Sequence, residues 1–337
     1  MQDFEAKWIT NKEFCAFEPI NVFHKENDDV KIPGNEAYQN KHILFRRTFS
    51  LPEFGKAILR ISADDYYKLY INGRFVTQGP APGYSFHYYY NEIDVTRYLH
   101  PHTNVIAVHT YYQGLVNRVW VSADLRQGLA CELFLDGKQV LTSDETWKCA
   151  YHTGFSACGK FGYDTQFAEC YDARAAECGF SQPEFDDSVW ENAHFRIHAD
   201  YTMFRQPTEQ LAFCDVKPKE LRKTSDGLFC DFGFEAVGYL TFRASGKRGD
   251  TLMLHFGEEL NDDGSVRYKM RCNCNYEEKF ILSGNNTDEL NEYDYKAFRY
   301  AELDIPDGVT VDTDSIRFVV RHYPFREIKH YTGTNQK

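Results

Sequence analysis

A chain of 337 residues is long enough for two or three domains. Its formal net charge of −12 argues against nucleic acid and anionic membrane surfaces as partners, because both attract basic surfaces. No apolar run approaches the roughly 18 residues that a membrane span needs, and the start of the chain lacks the basic and apolar regions of a signal peptide, so we expect a cytoplasmic protein with no membrane partner.

The first half of the chain predicts strands separated by tight turns. The dipeptide Asn72-Gly73 follows a strand-like run and predicts a type I′ hairpin, because that turn requires positive φ at both central positions. Asp136-Gly137 repeats the signal, and the apolar run 105–108 predicts a buried strand. An earlier strand carries its apolar residues on one parity: Leu59, Ile61 and Ala63.

Periodicity is interrupted near Pro207 and Pro218 and then resumes. Three later strands each keep their apolar residues on one parity, which predicts one buried and one solvated face. These sets are Leu240, Phe242 and Ala244; Leu252, Leu254 and Phe256; and Ile316, Phe318 and Val320. The chain is therefore predicted to be all-β, with two antiparallel sandwiches. The predicted boundaries are 1–40 for an N-terminal leader segment or strand, 41–205 for the first domain, 206–220 for a linker, 221–325 for the second domain and 326–337 for a polar tail.

Ten cysteines need an interpretation. Without a secretory leader we expect free, buried thiols and no disulfide framework. The segment Cys272-Asn273-Cys274 and the series Cys158, Cys170 and Cys178 lack the paired C-x-x-C spacing typical of zinc sites, so no metal site is predicted.

Adjacent carboxylates are the first candidates for catalysis, because glycosidases use two. The doublets of interest are Asp64-Asp65, Asp186-Asp187, Glu258-Glu259 and Asp262-Asp263. Neighbouring residues on a strand point to opposite faces, so no doublet forms a dyad by itself, and we interpret them as turn caps and solvated strand ends. Nucleophile elbows, zinc-protease motifs and phosphate-binding loops are also missing from the sequence, and no catalytic residue is predicted.

Two aromatic segments are the candidate binding loops. Segment 83–90 contains Tyr84 and His87, and segment 111–120 contains Tyr112, Asn117 and Trp120. Flat rings beside amide and imidazole groups are suited to a sugar, which stacks its apolar face and hydrogen-bonds through its hydroxyls. The alternative, left open, is that these rings fill the rim of the core or a domain interface.

In the second domain, Glu258 ends an alternating strand and Arg299 lies within another strand-like run. We hypothesise that they pair across the sheet as a partly buried, structural ion pair.

The order of several short motifs resembles one family. The first-domain motifs are ISADDYYKLYINGR (61–74), GPAPGY (79–84), DVT (94–96), NVIAV (104–108), YDAR (171–174) and FDDSVW (185–190). The second-domain motifs are DFG (231–233), FGEEL (256–260) and FRYAEL (298–303). Together, from about residue 40 to 325, they resemble the N-terminal β domains of bacterial α-L-rhamnosidases, glycoside hydrolase family 78.

The resemblance implies a galactose-binding-like jelly roll followed by a second sandwich. It also implies a catalytic (α/α)6 barrel beyond Lys337, so we expect this chain alone to be inactive and carry no family catalytic residue over to it. Some family jelly rolls bind L-rhamnose with calcium, but the matching loop here, Ser85-Phe86-His87, has no carboxylate, and Asn117 matches a ligand only loosely. Because calcium prefers six to eight oxygen ligands, we predict no cofactor, with calcium left open.

We therefore interpret the chain as the non-catalytic N-terminal portion of an α-L-rhamnosidase-like hydrolase that supports the catalytic domain or recognises rhamnosides. The alternatives are a free-standing carbohydrate-binding protein, an accessory segment of another glycosidase and a structural dimerisation module. Self-association into a homo-oligomer is open under each of them.

Overall fold

The computed structural model describes residues 4–22, 35–116, 122–326, 328–330 and 332–333. Within these ranges the protein is all-β, as predicted, with 23 strands in three sheets. Helical structure among the described residues consists of one α-helical turn and three 3-10 turns: Asn35–Tyr38, Thr96–Tyr98, Gly162–Asp164 and Arg271–Asn273. None of these helices has the length and apolar character needed to cross a bilayer.

The first domain is built from two sheets. The seven-stranded sheet runs in the order β14–β1–β8–β3–β6–β15, with β9 paired to β8, and the six-stranded sheet runs β13–β10–β2–β7–β4–β5. The seven strands are β1 (Ile9–Thr10), β3 (Ala57–Asp64), β6 (Tyr88–Asp94), β8 (Gly128–Leu135), β9 (Lys138–Thr142), β14 (His194–Phe195) and β15 (Met203–Arg205). The six strands are β2 (Lys41–Leu51), β4 (Tyr66–Ile71), β5 (Arg74–Gly79), β7 (His102–Tyr112), β10 (Lys148–Tyr151) and β13 (Glu191–Asn192).

The core of the first domain lies between the inner faces of these sheets. Leu59, Ile61 and Ala63 of β3 are fully buried there, which confirms the predicted parity. The two predicted hairpins also form. Asn72 and Gly73 both have positive φ (50° and 77°), as the type I′ turn requires.

The second domain is a single ten-stranded sheet that surrounds a phenylalanine-rich core. Its main path is β11–β12–β20–β19–β22–β18–β23–β16, and β17 and β21 both pair with β18. The strands are β11 (Phe155–Lys160), β12 (Phe167–Asp172), β16 (Ala212–Val216), β17 (Glu220–Lys223), β18 (Gly227–Ser245), β19 (Thr251–Gly257), β20 (Glu277–Ile281), β21 (Asp288–Glu289), β22 (Lys296–Asp304) and β23 (Thr310–His322). All three predicted apolar sets contribute to the core, with Val320 at its margin.

The 19-residue strand β18 bends the sheet around this core. Its first part pairs with β22 and its second part, from Gly238, pairs with β23. The register shifts between Asp231 and Ala236, and Gly233 adopts a φ of 86° in that interval. A bulge increases local twist, and it lets one strand serve two neighbouring parts of the sheet.

Sheet membership differs from the predicted boundaries in two places. Residues 155–172 lie in the segment predicted for the first domain, but β12 pairs in parallel with β20 of the second domain. Residues 212–216 lie in the predicted linker, but they form β16, which pairs antiparallel with β23. Both pairings join segments about 100 residues apart, so no local pattern in the sequence marks them.

The outer face of the six-stranded sheet packs on the second domain. The register places His42, Tyr111 and Tyr66 in one row across β2, β7 and β4, and the next row contains His109 and Lys68. Tyr293 of the second domain donates its hydroxyl to the His109 carbonyl at 2.9 Å. Both faces of this sheet are therefore buried, one by apolar residues and the other by rings and polar groups.

A buried ionic network continues this interface into the second domain. Lys296 Nζ lies 2.7 Å from Glu278 Oε2 and 3.2 Å from Glu292 Oε2, and each of the three side chains is at most 2% exposed. Burial by itself would lower the pKa of Lys296, but the surrounding carboxylates raise it overall. Lys68 of the first domain donates to the Glu292 carbonyl at 2.7 Å, and burial lowers its pKa to about 8. The interface is thus hydrogen-bonded as well as packed.

Candidate functional site

The exposed rings of the first domain cluster at the tight turn before β6. Tyr84 and Phe86 are 43% and 64% exposed, and their rings stack with centroids 5.5 Å apart and planes within 1°. His87 stacks on Phe204 of β15 with a centroid distance of 4.0 Å and an interplanar angle of 9°. We call these four residues the aromatic platform: Tyr84, Phe86, His87 and Phe204.

Backbone pairing holds the platform in place. The His87 N–H donates to the Tyr84 carbonyl at 2.7 Å and closes the turn. The parallel pairing of β15 with β6 sets Phe204 opposite Tyr89, next to His87 in sequence. The Thr202 N–H donates to the Ser85 carbonyl at 2.7 Å, so the residue before β15 is also bonded to the turn before β6. The platform rings are therefore carried by a closed turn and by the paired strand β15, as is usual for binding residues positioned by a rigid scaffold.

A chain of hydrogen-bonded side chains anchors the loop that precedes the platform. Gln206 Oε1 accepts the Ala81 N–H at 2.7 Å and the Asn91 amide at 2.9 Å. Asn91 in turn accepts the hydroxyl of the buried Tyr67 at 2.6 Å. The chain of hydrogen bonds runs from the core to the surface loop.

The predicted binding residues separate into three groups. Tyr84 and His87 lie on the platform, while Asn117 and Trp120 lie outside the described residues. The prediction is wrong for Tyr112, which is fully buried in the core, packs edge-to-face on Phe14 and accepts the Leu125 N–H at 2.9 Å. Tyr112 ends β7 on its inner face, so no ligand can reach its ring.

Sequence reasoning missed two platform residues. Phe86 lies inside the predicted aromatic segment, but it shares the parity of the buried Tyr88, so strand alternation would have placed it inward; it is exposed because it lies in the turn before β6. Phe204 had no local signal, because only the parallel pairing of β15 with β6 brings it next to His87.

Each carboxylate doublet has at least one member in a structural contact. Asp64 and Asp65 are buried, and Asp65 Oδ2 accepts the Gln113 N–H at 2.7 Å and the Ser122 hydroxyl at 2.8 Å. Burial raises the pKa of Asp65 to about 7, and burial together with the neighbouring Asp65 carboxylate raises that of Asp64. This pair is buried inside the fold.

The other doublets cap turns or pair with arginines. Asp187 lies 2.5 Å from the buried Arg46 guanidinium, and Asp186 accepts the Ser188 N–H at 2.9 Å. Glu259 pairs with Arg267 at 2.6 Å. Asp263 accepts the Ser265 N–H at 2.9 Å. Asp186, Glu259 and Asp263 thus have the turn-cap or surface roles expected from the sequence, whereas Asp187 pairs with a buried arginine.

The predicted pairing of Glu258 with Arg299 is wrong. Arg299 instead forms a two-pronged contact with Asp231, Nε to Oδ1 at 2.9 Å and Nη2 to Oδ2 at 2.8 Å. Strand β19 ends at Gly257, so Glu258 leaves the sheet before it can reach Arg299, whereas Asp231 of β18 pairs with the adjacent Tyr300. The planar guanidinium matches a carboxylate in this geometry.

The cysteines are all free thiols, as predicted, but only Cys131, Cys149 and Cys230 are buried. Over the described ranges, no group of three or more histidine, cysteine or acidic side chains is placed to share a metal ion.

Comparisons with known proteins agree with this fold. Residues 53–218 match the α-L-rhamnosidase N-terminal domain, and residues 222–321 match the bacterial α-L-rhamnosidase concanavalin-like domain. An α-L-rhamnosidase of Streptomyces avermitilis is 29% identical over 77% of the chain and 26% of its own length. An α-L-rhamnosidase of Formosa agariphila is 25% identical over the whole chain and 38% of its own length. The chain thus spans between a quarter and two fifths of these relatives.

Solved structures show the same architecture. A family 78 rhamnosidase of Bacillus sp. superposes with a TM-score of 0.80 at 13% identity, over 97% of this chain and 56% of that one. An α-L-rhamnosidase of Aspergillus terreus gives 0.67 at 23% identity, over 95% and 36%. These likenesses concern the fold, which is that of the paired β domains of a glycoside hydrolase. The two domain matches together cover most of the chain and show that it belongs to the bacterial α-L-rhamnosidase family, of which it carries the N-terminal and concanavalin-like domains.

Proposed function

We propose that this chain is the non-catalytic β portion of an α-L-rhamnosidase-like hydrolase, and that it supports a catalytic domain and recognises rhamnose-containing glycans. The observation that carries the recognition part is the exposed aromatic platform. A soluble protein gains nothing in stability from leaving Phe86 64% exposed beside a parallel tyrosine ring. Exposed, ordered rings are typical of a binding surface, and flat rings suit the apolar face of a pyranose.

The proposed absence of catalysis rests on the carboxylates. Hydrolysis of a glycoside requires two carboxyl groups about 5–10 Å apart on either side of a substrate. One doublet is instead buried, and in each of the others at least one member caps a turn or pairs with an arginine. The supporting role rests on the interface, because the Tyr293 and Lys68 contacts join the two domains through buried hydrogen bonds.

Binding can be measured by titrating methyl α-L-rhamnoside into isotopically labelled protein, with and without calcium. We expect shifts at the platform at millimolar sugar that do not depend on calcium. Phe86→Ala and Phe204→Ala should each weaken binding by about tenfold, because covering a ring buries apolar area at roughly 25 cal/mol per Å² and tenfold corresponds to about 1.4 kcal/mol.

The matched control is Tyr163→Ala, which removes another exposed ring (69%) from a distant 3-10 turn. Binding by this variant should equal that of the wild type. If the sugar produces no shift at the platform, or if the Tyr163 variant loses binding as much as the platform variants, the platform is not the recognition surface.

Turnover is tested separately on the same protein. We expect no release of nitrophenol from 4-nitrophenyl α-L-rhamnoside above the buffer rate, because no described carboxylate doublet is arranged for glycoside chemistry. Hydrolysis that is abolished by a single substitution such as Glu258→Gln, but kept in a surface control such as Asp307→Asn, would contradict the proposal.

A further inference from the structure

A cleft of about 580 Å³ lies between the two domains, away from the platform. Tyr70 of β4 and Phe75 of β5 line its first-domain side, and Phe213 of β16 and Tyr239 of β18 line its second-domain side. The segment around Phe180 closes one end. Small-molecule sites commonly occupy domain interfaces and volumes of about 300–1,000 Å³. The interdomain cleft falls in this range and has aromatic side chains on both sides.

An unpartnered hydrogen-bond donor lies in the wall of the cleft. His152 is only 5% exposed, and its Nδ1 accepts the Gly154 N–H at 3.2 Å. Burial lowers its pKa to about 3, so the imidazole is neutral near pH 7 and its proton resides on Nε2. In the part of the chain that the structure describes, Nε2 has no hydrogen-bonding partner. The N–H keeps some contact with solvent, so it can donate to an acceptor that enters the cleft.

The charge of the lining defines the chemistry of that acceptor. Asp215, Asp288 and Glu289 line the cleft, and the described lining contains no lysine or arginine. Asp288 already accepts the Ser283 N–H and hydroxyl, whereas Asp215 and Glu289 are exposed at the mouth. These carboxylates repel anions but accept hydrogen bonds from hydroxyl groups. The lining therefore excludes phosphates and uronic acids and favours an uncharged polyol with an apolar face.

We infer that the interdomain cleft is a second binding subsite for one neutral pyranose unit of a glycan. The sugar packs against the half-buried rings of Phe75 and Phe213, accepts the His152 Nε2–H through a hydroxyl oxygen and donates hydroxyl protons to Asp215 and Glu289. The inference deepens the proposed function, on which it rests for the choice of a rhamnoside as the sugar. It adds a site formed by both domains, so that binding there requires the packed interface.

The test uses the full chain and site-resolved chemical shifts during titration with methyl α-L-rhamnoside. Asn285 lines the cleft and is exposed, while its exposed neighbour Asn286 does not line it. Asn285→Trp should fill the mouth and weaken binding at the cleft at least tenfold, while Asn286→Trp leaves it unchanged. Glu289→Ala, a second exposed change, should weaken it several-fold. Methyl β-D-glucuronide should give no shifts at the cleft.

The outcomes separate the two sites. Shifts at the platform alone, or equal binding by Asn285→Trp and the wild type, overturn the inference but leave the proposed function in place. Cleft shifts that persist in Phe86→Ala support it independently of the platform. A titration with no shifts anywhere overturns both the inference and the proposed recognition of rhamnosides.

Discussion

Replacing Lys296 by methionine is expected to lower the free energy of unfolding by about 3–5 kcal/mol. The ammonium group lies between the buried carboxylates of Glu278 and Glu292. Without it, these carboxylates either remain ionised in an apolar environment or take up protons, and both responses cost free energy. Glu169 adds to the cost, because burial and the neighbouring Glu278 already raise its pKa to about 8. Urea denaturation at pH 7 measures the change.

The matched control for that experiment is Arg243→Met. Arg243 pairs with Asp312 at 2.6 Å, but the two side chains are 52% and 42% exposed. Exposed pairs contribute about 0–1 kcal/mol, so this variant should unfold close to the wild type. If the two variants lose similar stability, the network around Lys296 is not a buried ionic network.

Replacing His152 by glutamine should change how stability depends on pH. Burial lowers the pKa of His152 to about 3, and it also lowers the pKa values of His42 and His109 well below their ordinary value. Unfolded histidine binds a proton below about pH 6.5. The folded state does not, so its stability falls as the pH drops below that value. From pH 7 to pH 5 the difference between the two proteins should move by about 2 kcal/mol in favour of the glutamine variant.

Measuring this difference cancels contributions that act in the opposite direction. Buried acids with raised pKa values, such as Asp65 and Glu169, make the folded protein less stable as the pH rises. The pH profile of the wild type alone therefore mixes the effect of these acids with that of the buried histidines. The control for replacing a histidine by glutamine is His198→Gln, because His198 is exposed. A difference between the wild type and His152→Gln that stays constant from pH 7 to pH 5 would show that His152 takes up its proton as readily in the folded protein as in the unfolded chain.

The sequence predicts features that depend on near neighbours and misses those that depend on distant ones. The parity of Leu240, Phe242 and Ala244 is a local property of one strand, and the structure confirms it. Alternation cannot reveal whether a polar row such as Tyr66 and Lys68 faces water or another domain, and here it faces the second domain. The candidate site divides in the same way, because Tyr84 and His87 share one turn while Phe204 arrives by long-range pairing.

The parallel pairing of β12 with β20 has a consequence for any attempt to divide the chain. A fragment beginning near residue 221 would contain nearly all of the second-domain match but would lack the hairpin formed by β11 and β12. Strand β20 would then become an open edge, and unprotected edges recruit other chains by backbone pairing. The sequence boundary between the two domains is therefore a poor place to divide the folded protein, because a fragment cut there is expected to aggregate.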